Sequence, residues 1–180
     1  MLKNQYIFTS DRLGFRNWLK KDIKQFANIN ADLEVMKYFP KPLTVKESEE
    51  QIYRYKKHYD KYGYNYFATE LLDSGEFIGA IGLGYKDYKA KFNPATDIGW
   101  RLKKNSWNKG YATEGAQKCL EYGFNKLNLK KIISTCTITN IKSENIMKKI
   151  GMIKKGEFNH PNLLGSPLLE KCVWYEINHE

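Results

Sequence analysis

The sequence lacks the features of a membrane-spanning or exported chain. Its longest apolar runs are only a few residues, as in EFIGAIGLGY, whereas a helix needs about 20 apolar residues to cross a bilayer. The start, MLKNQYIFTSDRL, contains no apolar segment of the kind found in export signals. These absences predict a cytoplasmic protein without a membrane partner.

Cysteine and histidine are few and scattered. The three cysteines, Cys119, Cys136 and Cys172, form no C-x-x-C pair, and the three histidines are equally dispersed. This spacing excludes a disulfide framework and a zinc knuckle, fits a reducing compartment, and predicts that no metal is bound. Because no base adjoins Cys119 or Cys172, we expect both thiols to be packed in the core and not to act as nucleophiles.

The chain has no repeat, linker or low-complexity tract, so we expect one domain over residues 1–180. Its 30 Lys and Arg against 20 Asp and Glu give a net charge of +10. Such a surface suits nucleic acid, an anionic membrane or a small polyanion. The basic residues are interleaved with acidic ones and form no basic tail, so nucleic acid is not the expected partner.

Periodicity and capping signals predict four helices and seven strands. The helices are expected at 20–36, from the capping box Thr44–Glu47 to Gly63, at 111–127 with an apolar stripe, and at 140–151. The stripe consists of Ala112, Ala116, Leu120, Phe124 and Leu127. The strands are RLGFRNW, NYFATELL, EFIGAIGLGY, TDIGWRL, KKIISTCTI, MIKKGEF and EKCVWYEIN. This order predicts an α/β (α+β) fold with a mixed, largely antiparallel sheet covered by helices.

The stretch WNKGYATEG opens a helix directly after a strand and a polar loop. A helix N-terminus carries unpaired N–H groups and a partial positive charge, so it attracts anions. Gly110 lets an anion approach the backbone, and Lys103, Lys104 and Lys109 add positive charge. AQ follows where a P-loop needs Lys and Ser/Thr, and GAIGLG lies inside a strand pattern without G-x-G-x-x-G spacing. The glycines of GAIGLG therefore indicate a bulge or a close backbone approach.

Four motifs resemble the GNAT acetyltransferase superfamily, and in particular its RimJ/RimL-like branch. SDRLGFR resembles T-x-R-L-x-L-R, DIGWRL resembles E-I-G-Y/W-x-L, and NIKSENIMKKIGM resembles N-x-x-S-x-x-V-L-x-K-x-G-F. The loop W-x-K-G-Y-A resembles the acetyl-CoA pyrophosphate loop, with Trp107 where the general pattern has Arg or Gln. The resemblance implies a GNAT fold with about four helices and a V-shaped splay between two central strands.

The resemblance also implies where acetyl-CoA would bind. The loop residues expected at the pyrophosphate are Trp107, Asn108, Lys109, Gly110, Tyr111 and Ala112. The strand ending at Leu102 would pair with the pantetheine amides, and Asn140 would either bond the pantetheine arm or only cap its helix.

The general family uses a tyrosine of the last helix as proton donor, but Met147 occupies that position here. In the RimJ/RimL-like branch a serine has that role, and Ser143 matches it, with a first-turn serine bonded only to backbone as the alternative. Asp97 stands where the branch often has Glu and is a candidate base, or only a site for a cationic substrate. The loop FNHPNLLGSPL resembles one that shapes the acceptor pocket, and His160 there is either an acceptor contact or a turn residue.

The predicted activity is therefore transfer of an acetyl group from acetyl-CoA to a primary amine in a ternary complex. A protein or peptide N-terminal α-amine is the leading acceptor, because an α-amine has a pKa near 8 and is deprotonated more readily than lysine. The alternatives are a small amine, such as a polyamine, amino sugar or amino acid, and a non-catalytic domain that binds CoA or RNA. A homodimer is compatible with the sequence.

Overall fold

A computed structural model describes residues 5–179, and eight strands form one sheet. The strands are β1 (Phe8–Thr9), β2 (Leu13–Arg16), β3 (Tyr66–Leu71), β4 (Phe77–Lys86), β5 (Ala95–Leu102), β6 (Lys131–Thr137), β7 (Ile153–Asn159) and β8 (Lys171–Asn178). The α-helices are α1 (Asp22–Ala31), α2 (Val45–Tyr62), α3 (Tyr111–Asn125) and α4 (Ile141–Lys149). None of the helices within this part of the chain is long and apolar enough to cross a membrane. The short strand β1 was not predicted.

The sheet is mixed and largely antiparallel, as predicted. Its order is β1-β2-β3-β4-β5-β6-β8-β7, and the parallel neighbours are β5 and β6. Those two strands share one register pair, Asp97 with Ile133, whereas β4 and β5 pair along the whole of β5. The two central strands therefore meet at one end and separate toward the other, which confirms the expected splay.

Helix α2 confirms the sequence signals at both of its ends. The Thr44 side chain accepts from the Glu47 N–H at 3.2 Å, and the Glu47 carboxylate accepts from the Thr44 N–H at 2.8 Å. Gly63 follows the last turn with φ 76°, a left-handed conformation that glycine adopts at little cost.

Helix α1 is shorter than predicted, because it ends at Ala31 and not at residue 36. The Asp32 side chain accepts from the backbone N–H groups of Glu34 (2.8 Å) and Val35 (3.3 Å). Such a local side-chain acceptor competes with the helical hydrogen bonds and starts a turn. Val35 and Met36, whose apolar side chains suggested that the helix continues, lie in that turn, and both side chains are buried.

Helix α3 lies closer to the sheet than an alanine–leucine stripe would allow. Ala116 and Leu120 are buried as predicted, but Leu127 lies beyond the helix. Two glycines share the buried face: a Cβ at Gly115 would lie 2.4 Å from a methyl of Ile81, and one at Gly123 would lie 2.9 Å from a methyl of Ile132.

The helices cover opposite faces of the sheet. Residues of α3 and α4 share a core with Ile98 and Leu102 of β5, whereas α1 and α2 pack on Ala68 and Ala80. Because side chains alternate along a strand, Asp97, Gly99 and Arg101 project to the α1–α2 face. Ile98 and Leu102 thus face one side of the sheet, and this polar row faces the other.

The glycines of β4 mark both a bulge and a close backbone approach, as predicted. Pairing of β3 with β4 shifts between Thr69 and Glu70, opposite Gly79. A Cβ at Gly79 would lie 2.2 Å from the Arg101 carbonyl oxygen, and one at Gly82 would lie 2.1 Å from that of Asn65.

Candidate active site

The loop between β5 and α3 presents a row of backbone donors. Asn108 and Gly110 have φ of 59° and 83°, and no side chain caps α3. Within residues 5–179, the backbone N–H groups from Asn108 to Thr113 donate to no protein acceptor. Unpaired N–H groups at the positive end of a helix dipole are an arrangement that attracts anions. The predicted loop residues are therefore brought together, and Thr113 extends the row.

The hairpin between β1 and β2 holds this loop in place. Glu114 in the first turn of α3 accepts from the Ser10 hydroxyl (2.7 Å), the Arg12 backbone N–H (2.8 Å) and the Arg12 Nε (2.7 Å). Arg12 Nη1 also donates to the Lys109 carbonyl at 3.1 Å, and the guanidinium lies 4.6 Å from the centre of the Tyr111 ring. Although burial raises the pKa of the Glu114 carboxyl, these bonds lower it overall. These hydrogen bonds from Ser10 and Arg12, which fix the loop, were not predicted from the SDRL motif.

The point where β5 and β6 separate lies beside the loop at residues 108–113 that carries the unpaired backbone N–H groups, the donor loop. The Ser134 hydroxyl donates to the Ile98 carbonyl at 2.9 Å, and beyond that point the two strands no longer pair. The Trp107 indole donates to the Leu102 carbonyl at 2.9 Å, so that carbonyl keeps one lone pair for a ligand. Lys142 Nζ lies 5.1 Å from the centre of the Trp107 ring, which sets the start of α4 across the splay from the loop.

The start of α4 holds two of the predicted residues. The Asn140 side chain accepts from the Ser143 N–H at 3.2 Å, so Asn140 does cap its helix. The half-buried Ser143 hydroxyl has no hydrogen-bond partner in the part of the chain that the structure describes. Met147, in place of the family tyrosine, is 1% exposed and packs in the core.

Asp97 lies on the α1–α2 face together with a tyrosine that sequence reasoning missed. Tyr66 donates its hydroxyl to Asp97 Oδ1, and Lys86 Nζ lies 3.9 Å from the same oxygen. Burial raises the pKa of the Asp97 carboxyl, more than the Lys86 charge and the Tyr66 bond lower it. Burial and the charge of Asp97 also raise the pKa of Tyr66. Asp97 is therefore a more basic carboxylate than an exposed aspartate.

Two glycines make room for the Tyr66 ring. A Cβ at Gly84 would lie 2.8 Å from the Tyr66 hydroxyl, and one at Gly99 would lie 3.1 Å from the ring. In the sequence, the glycines of GAIGLG and DIGW indicate only that something packs closely against these strands. The Tyr66 ring could not be predicted there, because β3, β4 and β5 become neighbours only in the folded sheet.

The predicted loop packs on a second tyrosine, Tyr88, whose ionisation is influenced by Asp97. Burial and the charge of Asp97 raise the pKa of Tyr88 to about 12. The Tyr88 ring centre lies 4.5 Å from that of His160, and His160 Nδ1 accepts from the Asn162 N–H at 3.2 Å. His160 is thus a turn residue, as the alternative expectation had it, and its ring packs on that of Tyr88.

Two of the three cysteines are core residues, whereas the third, Cys136, has its Sγ 3.8 Å from the Asn140 carbonyl oxygen. Cys119 and Cys172 are buried, as predicted, and burial raises the pKa of both thiols. In the described residues, no three His, Cys, Asp or Glu side chains are grouped to hold a metal ion.

The sequence matches the family model of the acetyltransferase (GNAT) domain over residues 12–153. The uncharacterized N-acetyltransferase YnaD of Bacillus subtilis (strain 168) is 38% identical over 152 residues, which cover 83% of this chain and 84% of YnaD.

Solved structures share the fold. A GNAT-family acetyltransferase from Bacillus anthracis superimposes with a TM-score of 0.79 at 28% identity, covering 94% of this chain and 96% of that one. A spermidine N-acetyltransferase from Vibrio cholerae, in complex with CoA and spermine, does so with a TM-score of 0.72 at 22% identity, covering 92% and 95%. The second likeness shows the fold alone.

Proposed function

The chain belongs to the GNAT acetyltransferase family, and from that premise we propose that it transfers the acetyl group of acetyl-CoA to a primary amine, with a protein or peptide N-terminal α-amine as the leading acceptor. The observation that carries the proposal is the row of unpaired N–H groups from Asn108 to Thr113, beside the point where β5 and β6 separate. We propose further that residues 1–180 form one domain of the RimJ/RimL-like type.

Residues of this chain suit both the pyrophosphate and the pantetheine arm of acetyl-CoA. The donor row would hold its pyrophosphate, since backbone N–H groups at a helix N-terminus are strong phosphate ligands. The pantetheine arm would lie in the splay, flanked by Leu102 and Trp107 on one side and Asn140 on the other. Acetyl-CoA supplies an acetyl group activated as a thioester.

The α1–α2 face would receive the amine. The amine nitrogen attacks the thioester carbonyl carbon, so that a C–N bond forms as the C–S bond breaks. Asp97 accepts the proton that the amine loses, and its raised pKa suits that role because a stronger base is a better proton acceptor near neutral pH. The Tyr66 hydroxyl holds the carboxylate in position.

Ser143 would donate a proton to the leaving thiolate of CoA. Ser143→Ala should lower kcat about tenfold, the effect being modest because a thiol has a pKa near 8.5 and its anion leaves readily. Acetyl transfer to a peptide, followed through CoA release, measures this change. Ser143→Thr keeps the hydroxyl and should retain most of the activity. Equal kcat values for wild type and Ser143→Ala would remove Ser143 from the reaction.

Titration calorimetry with CoA tests the donor row through a matched pair of glycines. Gly110 and Gly63 have φ of 83° and 76°, so alanine at either position imposes similar strain, about 1–2 kcal/mol. Gly110→Ala should raise the Kd for CoA about tenfold or more, because a weakened bond to a charged phosphate is worth roughly 1.5–3 kcal/mol. Gly63→Ala should leave the Kd unchanged. If wild type fails to bind CoA at millimolar concentration, the proposal fails.

The choice of an α-amine as acceptor rests on the strength of the base. Deprotonating lysine near pH 7 costs roughly 3 kcal/mol more than deprotonating an α-amine, which a carboxylate such as Asp97 does not readily supply. The alternative acceptors are small amines, including the polyamine class on which the Vibrio cholerae relative acts. Kinetics with peptides and small amines separate the two. RNA binding with a steep salt dependence, without turnover, would favour a non-catalytic role instead.

A further inference from the structure

A second charged residue, Arg101, lies on the same face of β5 as Asp97. The two residues are four positions apart, so their Cα atoms are about 13 Å apart at the rise of an extended strand. Gly99 stands between them and carries no side chain. The row therefore offers a carboxylate at one end and a guanidinium at the other.

Neutral groups hold Arg101 in place. Its Nη1 donates to Asn30 Oδ1 at 2.7 Å and to Gln51 Oε1 at 3.1 Å, and the guanidinium lies 4.1 Å from the centre of the Phe39 ring. Within residues 5–179, no carboxylate oxygen lies within 4 Å of this guanidinium, and its Nε has neither a protein partner nor contact with solvent. The side chain is thus rigid, half-buried and without a counter-ion.

Arg16, which is almost fully buried, shows which kind of partner Arg101 lacks. Arg16 makes hydrogen bonds with the buried carboxylates of Asp22 and Glu70. Removing a charge from water is costly unless an opposite charge compensates it. Burial lowers the pKa of Arg101, but an arginine stays protonated in proteins. A guanidinium held by amides and an aromatic ring is therefore prepared for an anion that arrives from outside.

The charges around Asp97 point the same way. Lys86 lies against Asp97, and the concavity that Tyr88 shares with the β4–β5 loop is lined by Lys89 and Lys91 against one acid, Asp87. A polycationic acceptor would meet a net positive charge there, whereas an acceptor with a carboxylate would meet a complementary one.

We infer that the acceptor carries a carboxylate that pairs with Arg101 while its amine lies at Asp97, which names the substrate class and rests on the proposed acetyltransferase function. The separation along β5 requires several bonds between the two groups. A dipeptide with a free C-terminus has this chemistry, and so does a peptide N-terminus followed by an acidic residue.

Two pairs of acceptors test the inference and distinguish a C-terminal carboxylate from the carboxylate of an acidic side chain. The first pair is Ala-Ala and its carboxamide, and the second is Ala-Asp-Ala and Ala-Asn-Ala, both as carboxamides. Wild type should favour the carboxylate member of at least one pair about 10- to 100-fold in kcat/KM, through KM, because a charge-assisted pair is worth roughly 1.5–3 kcal/mol. Spermidine should be a poor acceptor.

The variants Arg101→Gln and Arg101→Lys separate recognition from structure. Arg101→Gln should abolish the preference, bringing the ratio of the kcat/KM values near 1, with the Kd for CoA unchanged. Arg101→Lys should keep part of the preference. Arg54→Gln, which removes an exposed arginine of α2, should leave every value as in wild type.

Binding of acetylated product makes the test independent of turnover. In the presence of CoA, wild type should bind N-acetyl-Ala-Ala more tightly than its carboxamide, or N-acetyl-Ala-Asp-Ala-amide more tightly than its Asn counterpart, and Arg101→Gln should not. If CoA binds and amines are acetylated with no carboxylate preference in either pair, or if the preference survives in Arg101→Gln, this inference is wrong while the acetyltransferase function stands. Failure to bind CoA refutes the function itself.

Discussion

Replacement of Asp97 by asparagine is expected to lower kcat by about 10²- to 10⁴-fold, the range that a general base contributes. Asparagine keeps the shape of the side chain and can still accept from the Tyr66 hydroxyl, which donates to Asp97 in the wild type. The variant loses the negative charge that faces Lys86 and, with it, the ability to take up a proton. CoA release with a peptide acceptor at saturating acetyl-CoA measures the change, and Asp73→Asn, at an exposed turn, is the control.

The same variant should be more stable than the wild type. Because burial raises the pKa of the Asp97 carboxyl, the folded state binds this proton more tightly than the unfolded state does. The stability contributed by the protonated form is present below the unfolded pKa of about 3.9 and is lost as the pH rises through the folded pKa. The difference in melting temperature between Asp97→Asn and wild type should therefore grow with pH over that window and then level off.

A wild-type rate in Asp97→Asn would show that the amine loses its proton to another group, and it would remove Asp97 from the reaction. A variant that is both inactive and less stable would mean that the ion pair with Lys86 at 3.9 Å outweighs the burial of the carboxylate. Thermal melting between pH 4 and pH 8 distinguishes these outcomes.

Arg16→Met is expected to lower the free energy of unfolding by about 3–5 kcal/mol, the largest stability change of any substitution considered. Arg16 Nη1 donates to Asp22 at 2.7 Å, its Nη2 also bonds Glu70, and the three side chains are at most 4% exposed. Although burial raises the pKa of Glu70, the bond from Arg16 lowers it overall. Methionine fills the space but leaves the buried Asp22 carboxylate without a counter-ion, and it leaves Glu70 only the exposed Lys21 at 3.7 Å.

Urea denaturation measures this loss, and a triple variant shows its cause. Arg16→Met combined with Asp22→Asn and Glu70→Gln removes the charges together and should recover most of the stability. Arg54→Met, at an exposed position, should change stability by less than about 0.5 kcal/mol. A small loss in Arg16→Met would mean that water reaches the two carboxylates. Because α1 carries both Asp22 and Asn30, the single variant should also weaken the support of Arg101.

The elements that the sequence predicted well are those whose signals are local. The capping box at Thr44, the left-handed Gly63 and the Asn140 cap each involve groups within a few residues, so their side chains alone specify the hydrogen bonds. The end of α1 was wrong because a single side chain, Asp32, outweighed the apolar pattern that continues to Met36. The buried face of α3 differed from the predicted apolar stripe because Gly115 and Gly123 also pack against the sheet. Hydrophobic periodicity does not count glycine as an apolar packing residue.

The donor loop was predicted because its chemistry is contained in one stretch, WNKGYATEG. The N–H groups of a helix start and the left-handed Gly110 follow from consecutive residues, and so does the attraction for a phosphate. The sequence by itself therefore determined the family and the order of most elements, and it predicted where an anion would bind.

The acceptor face was decided only by the tertiary structure. Tyr66, Asp97 and Arg101 lie on two strands, and Asn30 and Gln51 come from two helices on that face. Nothing in the sequence distinguishes Arg101 from other strand arginines. The fold surrounds it with amides and an aromatic ring, and within residues 5–179 it brings no carboxylate oxygen within 4 Å. The physical reason is that burial, counter-ions and the pKa shifts that follow from them depend on distances through space, which spacing along the chain does not encode.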